Sequence, residues 1–344
     1  MNKYYVGGKP MDRRHFIMGT AAAAVTGSAI TSCSSGPVER PEGIPVGPFG
    51  SKSTAEEVSA GLDLGGKTAL VTGSNSGIGY ETARVLAQRG AHVICAARNE
   101  EKAVTTSDNI AGNTSPSVFD LADWDSIVNA AEKIRSSGEP IDMLVCNAGI
   151  MELPELQQVN GIERQFAVNH LGHYILVRQL LEQVKAAPQG RIVTVSSGAA
   201  TRLAPAEGIE FDNLSGEAGY DPGTAYGHSK LANVLLALEL ARRCEGTNVT
   251  ANALRPGVIA TNLGRHMPRW KTLALETIGS FFTKTIAQGA ATTVYVATAP
   301  ALAQTSGHFF NHCNPILAGG YTRNTEMAER LWTVSEEITK DYLI

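Results

Sequence analysis

The sequence predicts an α/β protein: a single domain built on a doubly wound, seven-stranded parallel sheet with helices on both faces. From residue 67 onward, short runs rich in Val, Ile and Leu alternate with longer helical stretches. A parallel sheet demands that order, because each crossover needs a helix's length of chain. A glycine-rich turn stands between the first run and the first helix, and 43% of the 344 residues are hydrophobic, enough to cover such a sheet on both sides.

Strands are expected at 68–71, 92–96, 117–119, 143–146, 191–195, 249–254 and 307–310, each a short run bounded by turn residues. One helix follows the glycine turn and runs to about Arg89. Two longer helices are expected over 161–187 and 224–244, the second closing on Arg242 and Arg243, cations suited to the negative end of a helix dipole.

Ahead of the sheet, Arg13 and Arg14 precede an apolar stretch from Phe16 to Ile30 and a small-residue exit at Ser32-Cys33. That stretch falls short of the roughly 20 residues a spanning helix needs, so it reads as an export signal. The Arg pair followed by Phe16 resembles the twin-arginine signal, and Ile30-Thr31-Ser32-Cys33 resembles a lipobox that would place a lipid on Cys33. Residues 34–60, rich in Ser, Gly and Pro, read as a linker. The expected organisation is therefore a signal at 1–33, a linker at 34–60 and a catalytic domain at 61–344. Location in the cell envelope or periplasm follows, with membrane contact only through Cys33. The alternative is a cytoplasmic enzyme carrying an N-terminal extension.

A net charge of −4 gives no basic field for nucleic acid. The five cysteines lie far apart, without disulfide-scaffold or zinc spacing. His308, His312 and Cys313 fall on an expected strand, which would not align them as ligands, and no metal is expected. His170 and His173 read as packing and capping residues.

The turn Thr72-Gly73-Ser74-Asn75-Ser76-Gly77-Ile78-Gly79 follows the first strand directly and opens a helix. Glycines there allow close backbone approach, and the free N–H groups of the helix start attract a pyrophosphate, as in the Rossmann fold. At the end of the second strand, where a carboxylate would grip the ribose of NAD, stand Arg98 and Asn99. A guanidinium there favours the 2′-phosphate of NADP over NAD. Asp120 and Leu121, at the end of the third strand, suit the adenine. Asn147-Ala148-Gly149, at the end of the fourth, suit the adenosine ribose.

Tyr226 and Lys230 lie four apart on one helix, hence on one face. A phenol titrates near ~10, so acid/base work near neutrality requires about three units of lowering, roughly 4 kcal/mol. The Lys230 charge and a positive nicotinamide ring are suited to supplying it. Ser197 closes the apolar stretch Gly190-Arg-Ile-Val-Thr-Val-Ser-Ser197 and can polarise a carbonyl while Tyr226 delivers the proton. Asn169 is a polar residue on an apolar helix face, either holding a water behind Lys230 or making a structural hydrogen bond. Pro256, Gly257, Ile259 and Thr261 form a stiff turn whose hydroxyl can meet the nicotinamide carboxamide.

The order of glycine turn, Asn-Ala-Gly, Ser, Tyr-x-x-x-Lys and Pro-Gly from about Ser51 to Leu343 resembles the short-chain dehydrogenase/reductase superfamily. Ser53 to Gly61, Ala225-Tyr-Gly-His-Ser-Lys-Leu-Ala-Asn233 and Leu331-Trp-Thr-Val-Ser335 are similar to its retinol dehydrogenase and WW-domain oxidoreductase branch. The resemblance implies a catalytic tetrad of Asn169, Ser197, Tyr226 and Lys230, an NADP-dependent interconversion of a carbonyl and its alcohol, and a homodimer or homotetramer. The apolar segment 261–284 falls where that fold carries its substrate lid, which suits an apolar substrate; core packing or an oligomer face is the alternative. A different class of function, an exported cofactor-retaining binding or scaffold protein without turnover, has the same sequence features apart from a use for the intact tetrad.

Overall fold

Strand β1 (Thr68–Thr72) is buried along its whole length and lies inside the sheet. The computed structural model describes residues 39–257, 259 and 284–344. The further strands are β2 (His92–Ala97), β3 (Thr114–Val118), β4 (Met143–Cys146), β5 (Gly190–Val195), β6 (Val249–Arg255), β7 (Phe309–Asn311) and β8 (Asn314–Ile316). Their order is β8-β7-β6-β5-β4-β1-β2-β3. The chain lays β2 and β3 to one side of β1, then returns to pair β4 with its other edge. Such a reversal opens a crevice at the carboxyl ends of β1 and β4.

The seven parallel strands lie where the alternation puts them. The third starts earlier than expected, because Thr114-Ser-Pro-Ser-Val118 is a half-exposed edge strand with no apolar run to announce it; an edge also tolerates Pro116. The eighth strand was not expected. It pairs antiparallel with β7 across a tight turn in which His312 and Cys313 take φ of 52° and 62°, the left-handed pair that a two-residue hairpin favours. Three residues containing Pro315 carry no strand pattern, and His312 and Cys313 belong to that turn instead of a strand.

Alternate residues along each strand face opposite sides. Val71, Val93, Val145, Val193, Leu254 and Phe310 point to one layer, covered by α1 (Ala55–Val58), α2 (Gly77–Gln88) and α8 (Ile286–Thr298). Leu70, Ile94, Leu144, Ile192 and Phe309 point to the other, covered by α4 (Trp124–Ser136), α5 (Gly172–Ala186), α7 (Pro222–Arg243) and α9 (Thr325–Thr339). Each such fully buried side chain contributes roughly 2 kcal/mol. Helix α3 (Glu100–Asn109) covers β2 and β3 at the edge, and the single turn α6 (Ala199–Arg202) follows β5.

The helix expected over 161–187 is interrupted. A two-residue ribbon, Gln158–Val159 with Ile162–Glu163, leads into one helical turn, Arg164–Phe166, whose free N–H groups at Gln165 and Phe166 donate to the Glu163 carboxylate at 2.9 and 2.8 Å. A π turn, Ala167–Leu171, then joins α5. Residues 165–177 are buried all round, so there is no one-sided apolar stripe for the extra residue to displace, and the sequence does not announce it.

The expected linker is also shorter than its composition suggests, since the compact body begins at Glu39. The Glu39 carbonyl accepts the Leu317 N–H at 2.8 Å, the Phe49 carbonyl accepts Asn314 Nδ2 at 2.8 Å, and the Phe49 ring meets Tyr295 edge-on. Thr54 and Glu57 then form a capping box that starts α1, burying Ala55 and Val58. Backbone hydrogen bonds and a few scattered apolar groups hold this arm, too sparse for a periodic signal. The expected export signal and Cys33 lie outside the described residues.

His170, His173 and His228 are buried. Burial holds them down to about 3, about 4 and about 4, from 6.5. Because the folded values lie below the unfolded one, the stability they confer is complete above about pH 6.5 and is lost as pH falls toward about 4. Urea unfolding should therefore show a lower midpoint at about pH 5 than at about pH 7.5, with roughly 2 kcal/mol lost per histidine. Equal midpoints would contradict this.

Candidate active site

The strand registers bring the carboxyl ends into line: Thr72 pairs with Ala96, Ala97 with Val118, Cys146 with Thr194 and Val195 with Leu254. The turns that follow these ends therefore share one rim. Along it lie the glycine turn 73–79, Arg98 and Asn99, Asp120 and Leu121, Asn147 to Gly149, Ser197, and Pro256 and Gly257.

Within the glycine turn, a Cβ on Gly79 would run into the Gly73 carbonyl and come within 2.5 Å of Asn147 Nδ2; only glycine lets α2 start this close to β4. Ser74 is buried, its hydroxyl donating to the Ala96 carbonyl at 3.2 Å. Asn75 and Ser76 are exposed, and the Ser76 side chain does not cap the helix it precedes. The N–H groups at the start of this twelve-residue helix thus keep their positive end for an anion. A cradle that excludes a Cβ and ends in an uncapped helix start fits a dinucleotide pyrophosphate. Ile78 lies beside Gly289 of α8, as does Ile259.

Arg98 is exposed at the end of β2, and Asn99 caps α3 by accepting the Lys102 N–H at 3.0 Å. β3 ends at Val118, and Asp120 and Leu121 stand in the loop just beyond its carboxyl end. Asp120 Oδ1 accepts the Ala122 N–H at 2.9 Å, while Leu121 is buried against Gly172. Asn147 Nδ2 donates to the Thr72 carbonyl at 2.8 Å, tying β4 to the glycine turn. Thr261 and the expected lid segment through residue 283 lie outside the described residues.

Tyr226 and Lys230 are both buried on α7. Lys230 Nζ donates to the Val195 carbonyl at 3.1 Å and lies 5.7 Å from the centre of the Tyr226 ring. Burial pushes Lys230 down to about 8. Burial likewise pushes the Tyr226 phenol up to about 12, with its hydrogen bond to Ser197 acting downward and the Glu152 charge acting upward. Among the protein's own groups desolvation outweighs the Ser197 bond, and the lowering expected above calls for the positive charge of a nicotinamide ring in addition to Lys230. Ser197 Oγ also accepts the Ala199 N–H at 3.2 Å, and the neighbouring Ser196 hydroxyl donates to the Lys230 carbonyl at 2.6 Å.

Asn169 sits fully buried in the π turn. Its Oδ1 accepts the Ile150 N–H at 2.8 Å, and its Nδ2 donates to the Ile150 carbonyl and to Ser229 Oγ, both at 2.9 Å. Of the two readings open for Asn169, these bonds support the structural one for the side chain. Asn169 and Lys230 nevertheless converge: a Cβ on Gly149 would lie 3.1 Å from Asn169 Oδ1 and 3.2 Å from Lys230 Nζ.

Three contributors escaped the sequence reading. Thr72 stands in the glycine-turn motif without a sequence signal for its role, His173 has the pattern of a packing and capping residue, and Glu152 falls in a stretch without a motif. The spacing of four between Asn169 and His173 was the one available signal, since it puts both on one helix face.

Sheet, cradle and rim together define an oxidoreductase that works with a bound dinucleotide. A short chain dehydrogenase sequence profile matches residues 67–208. Short-chain dehydrogenase TIC 32 B, chloroplastic, from Brassica napus is 40% identical over 300 residues, covering 83% of this chain and 93% of that protein. Retinol dehydrogenase 11 from Homo sapiens is 42% identical over 282 residues, covering 80% and 86%. Among solved structures, an NAD(P)-dependent gluconate 5-dehydrogenase from Beutenbergia cavernae, with NADP bound at low occupancy, superposes with a TM-score of 0.57 at 28% identity, covering 72% of this chain and 95% of that one. The chain belongs to the short-chain dehydrogenase family, oxidoreductases of CH–OH groups that bind NAD(P) and act on small molecules. No helix among the described residues is long and apolar enough to cross a membrane.

The Gly149 contacts generate a direct expectation. Gly149→Ala should push Asn169 and Lys230 apart and cost about ten-fold or more in turnover, with the thermal midpoint little changed. Wild-type turnover in that variant would show that the two side chains give way freely.

Proposed function

We propose that the protein is an NADP-dependent oxidoreductase that interconverts an apolar carbonyl compound and its alcohol, with Tyr226 as general acid/base and Asn169, Ser197 and Lys230 completing the tetrad. The observation that carries this reading is the buried Tyr226 on the same helix face as Lys230, whose amine lies 5.7 Å from its ring. A phenol held near 12 keeps its proton at neutral pH, which suits donation to a substrate oxygen. Ser197 is placed to orient that oxygen. Lys230, near 8, stays largely charged at neutral pH and eases formation of the phenolate in the reverse direction. The nicotinamide ring supplies or accepts the hydride.

Gly73 to Gly79 would hold the pyrophosphate, Asn147 to Gly149 the adenosine ribose, Asp120 and Leu121 the adenine, and Pro256, Gly257, Ile259 and Thr261 the nicotinamide end. Preference for NADP over NAD is supported by Arg98 at the end of β2, where no carboxylate stands, and by the Beutenbergia relative with NADP bound. Likeness to retinol dehydrogenase 11 supports a long, apolar aldehyde or alcohol as substrate.

The same proposal includes export by the twin-arginine route with a lipid on Cys33, and assembly as a homodimer or homotetramer. An intact mass matching residues 33–344 plus lipid would support the export reading; an unprocessed chain would count against it.

With all-trans-retinal or nonanal and NADPH, the nicotinamide absorbance near about 340 nm should fall. Tyr226→Phe should lower the rate by about 10²-fold or more yet keep NADPH binding, because only the transferred proton is removed. Arg98→Ala should weaken NADPH binding about ten-fold or more while leaving NADH little affected. A Tyr226→Phe enzyme with near-wild-type rates would remove the phenol from the mechanism. Retained cofactor without turnover of either probe would favour the binding-protein alternative.

A further inference from the structure

We propose that His173 is a positioning residue of this site: its imidazole ties the Asn169 carbonyl to the hydroxyl at the end of β1, and so fixes the cofactor cradle relative to Lys230. The inference rests on the oxidoreductase reading above.

The hydrogen bonds determine which nitrogen carries the proton. His173 Nδ1 lies 2.9 Å from the Asn169 carbonyl oxygen, which can only accept, so Nδ1 donates. His173 Nε2 lies 2.9 Å from Thr72 Oγ1. That oxygen already accepts two N–H groups, from Asn147 and Ala148, each at 2.9 Å. Its lone pairs are thereby filled, and its own proton goes to Nε2; the Val145 carbonyl, at 3.4 Å, is the more distant acceptor. A single neutral tautomer satisfies all four groups. Burial holds the ring in that neutral state, at about 4.

At one end the bridge reaches the residue just before Gly73 and the backbone of the Asn147-Ala148-Gly149 turn. At the other it reaches the π turn, whose Asn169 side chain clamps Ile150 through both backbone atoms and shares Gly149 with Lys230. The loop from Asn147 to Ile150 is therefore held from both sides, and His173 joins the two holds.

Two substitutions separate the halves of the bridge. Asparagine can place its amide N–H near the Nδ1 position and keep the bond to Asn169; glutamine reaches the Nε2 position and keeps the bond to Thr72. With nonanal and NADPH, His173→Gln and His173→Asn should each lose about ten-fold or more in kcat with the KM for NADPH little changed, because each cuts the bridge at one end. A wild-type kcat in either variant would overturn the proposal. Nitrogen-15 NMR of the wild-type holoprotein should show His173 as the Nδ1–H tautomer and neutral down to about pH 5. An Nε2–H tautomer, or titration near about 6.5, would overturn it too. If the wild-type protein turns over neither nonanal nor retinal, the oxidoreductase reading fails and the tautomer alone decides the bridge. Tyr226→Phe, assayed in parallel, tests the chemistry without touching His173.

Discussion

Two backbone N–H groups from the end of β4 converge on one side-chain oxygen at the end of β1, Thr72 Oγ1. These strands are neighbours at the point where the sheet reverses its winding, and their carboxyl ends are where regular pairing runs out and backbone groups lose strand partners. The Thr72 hydroxyl replaces those partners. It keeps the Asn147-Ala148-Gly149 turn against the glycine turn, where the contact of Gly79 with Gly73 and Asn147 already leaves no room for a side chain. Cradle, ribose turn and the wall behind Lys230 all hang from that short span.

Desolvation sets the chemistry of the rim. Tyr226 and Lys230 move in opposite directions for one reason, since removing water penalises phenolate and ammonium alike. A buried pair with a raised phenol and a lowered amine is poised to respond to any charge placed beside it, because little solvent remains to screen it. Glu152, whose φ is 47°, adds a negative field from the loop after Ile150 and opposes ionisation of the phenol.

Much of this was legible in the residue order. The inner strands are buried on both faces and so appear as continuous aliphatic runs, and the glycine turn, Asn147-Ala148-Gly149, Ser197, Tyr226 and Lys230 follow in an order that defines the rim. What was hidden depends on tertiary contacts. Thr72 and His173 are 101 residues apart, and nothing local to either names the other. The upward shift of Tyr226 comes from burial, which the four-residue spacing to Lys230 does not encode. The arm from Glu39 to Thr54 looks like a tether because backbone carbonyls, which every residue has, make most of its attachments. β3 and β8 lie at the sheet's two edges, where solvent relaxes the demand for apolar side chains.

The π turn has a consequence for how this helix tolerates change. An α-helix advances about 100° per residue, so the surplus residue between Phe166 and Gly172 sets the rotational phase of everything after it. Shortening the turn by one position would swing the imidazole about a quarter-turn away from the first strand, even though every remaining amino acid kept its helix propensity. Insertions and deletions within those five positions should be far rarer among functional variants than conservative exchanges, because the constraint there is angular and not compositional.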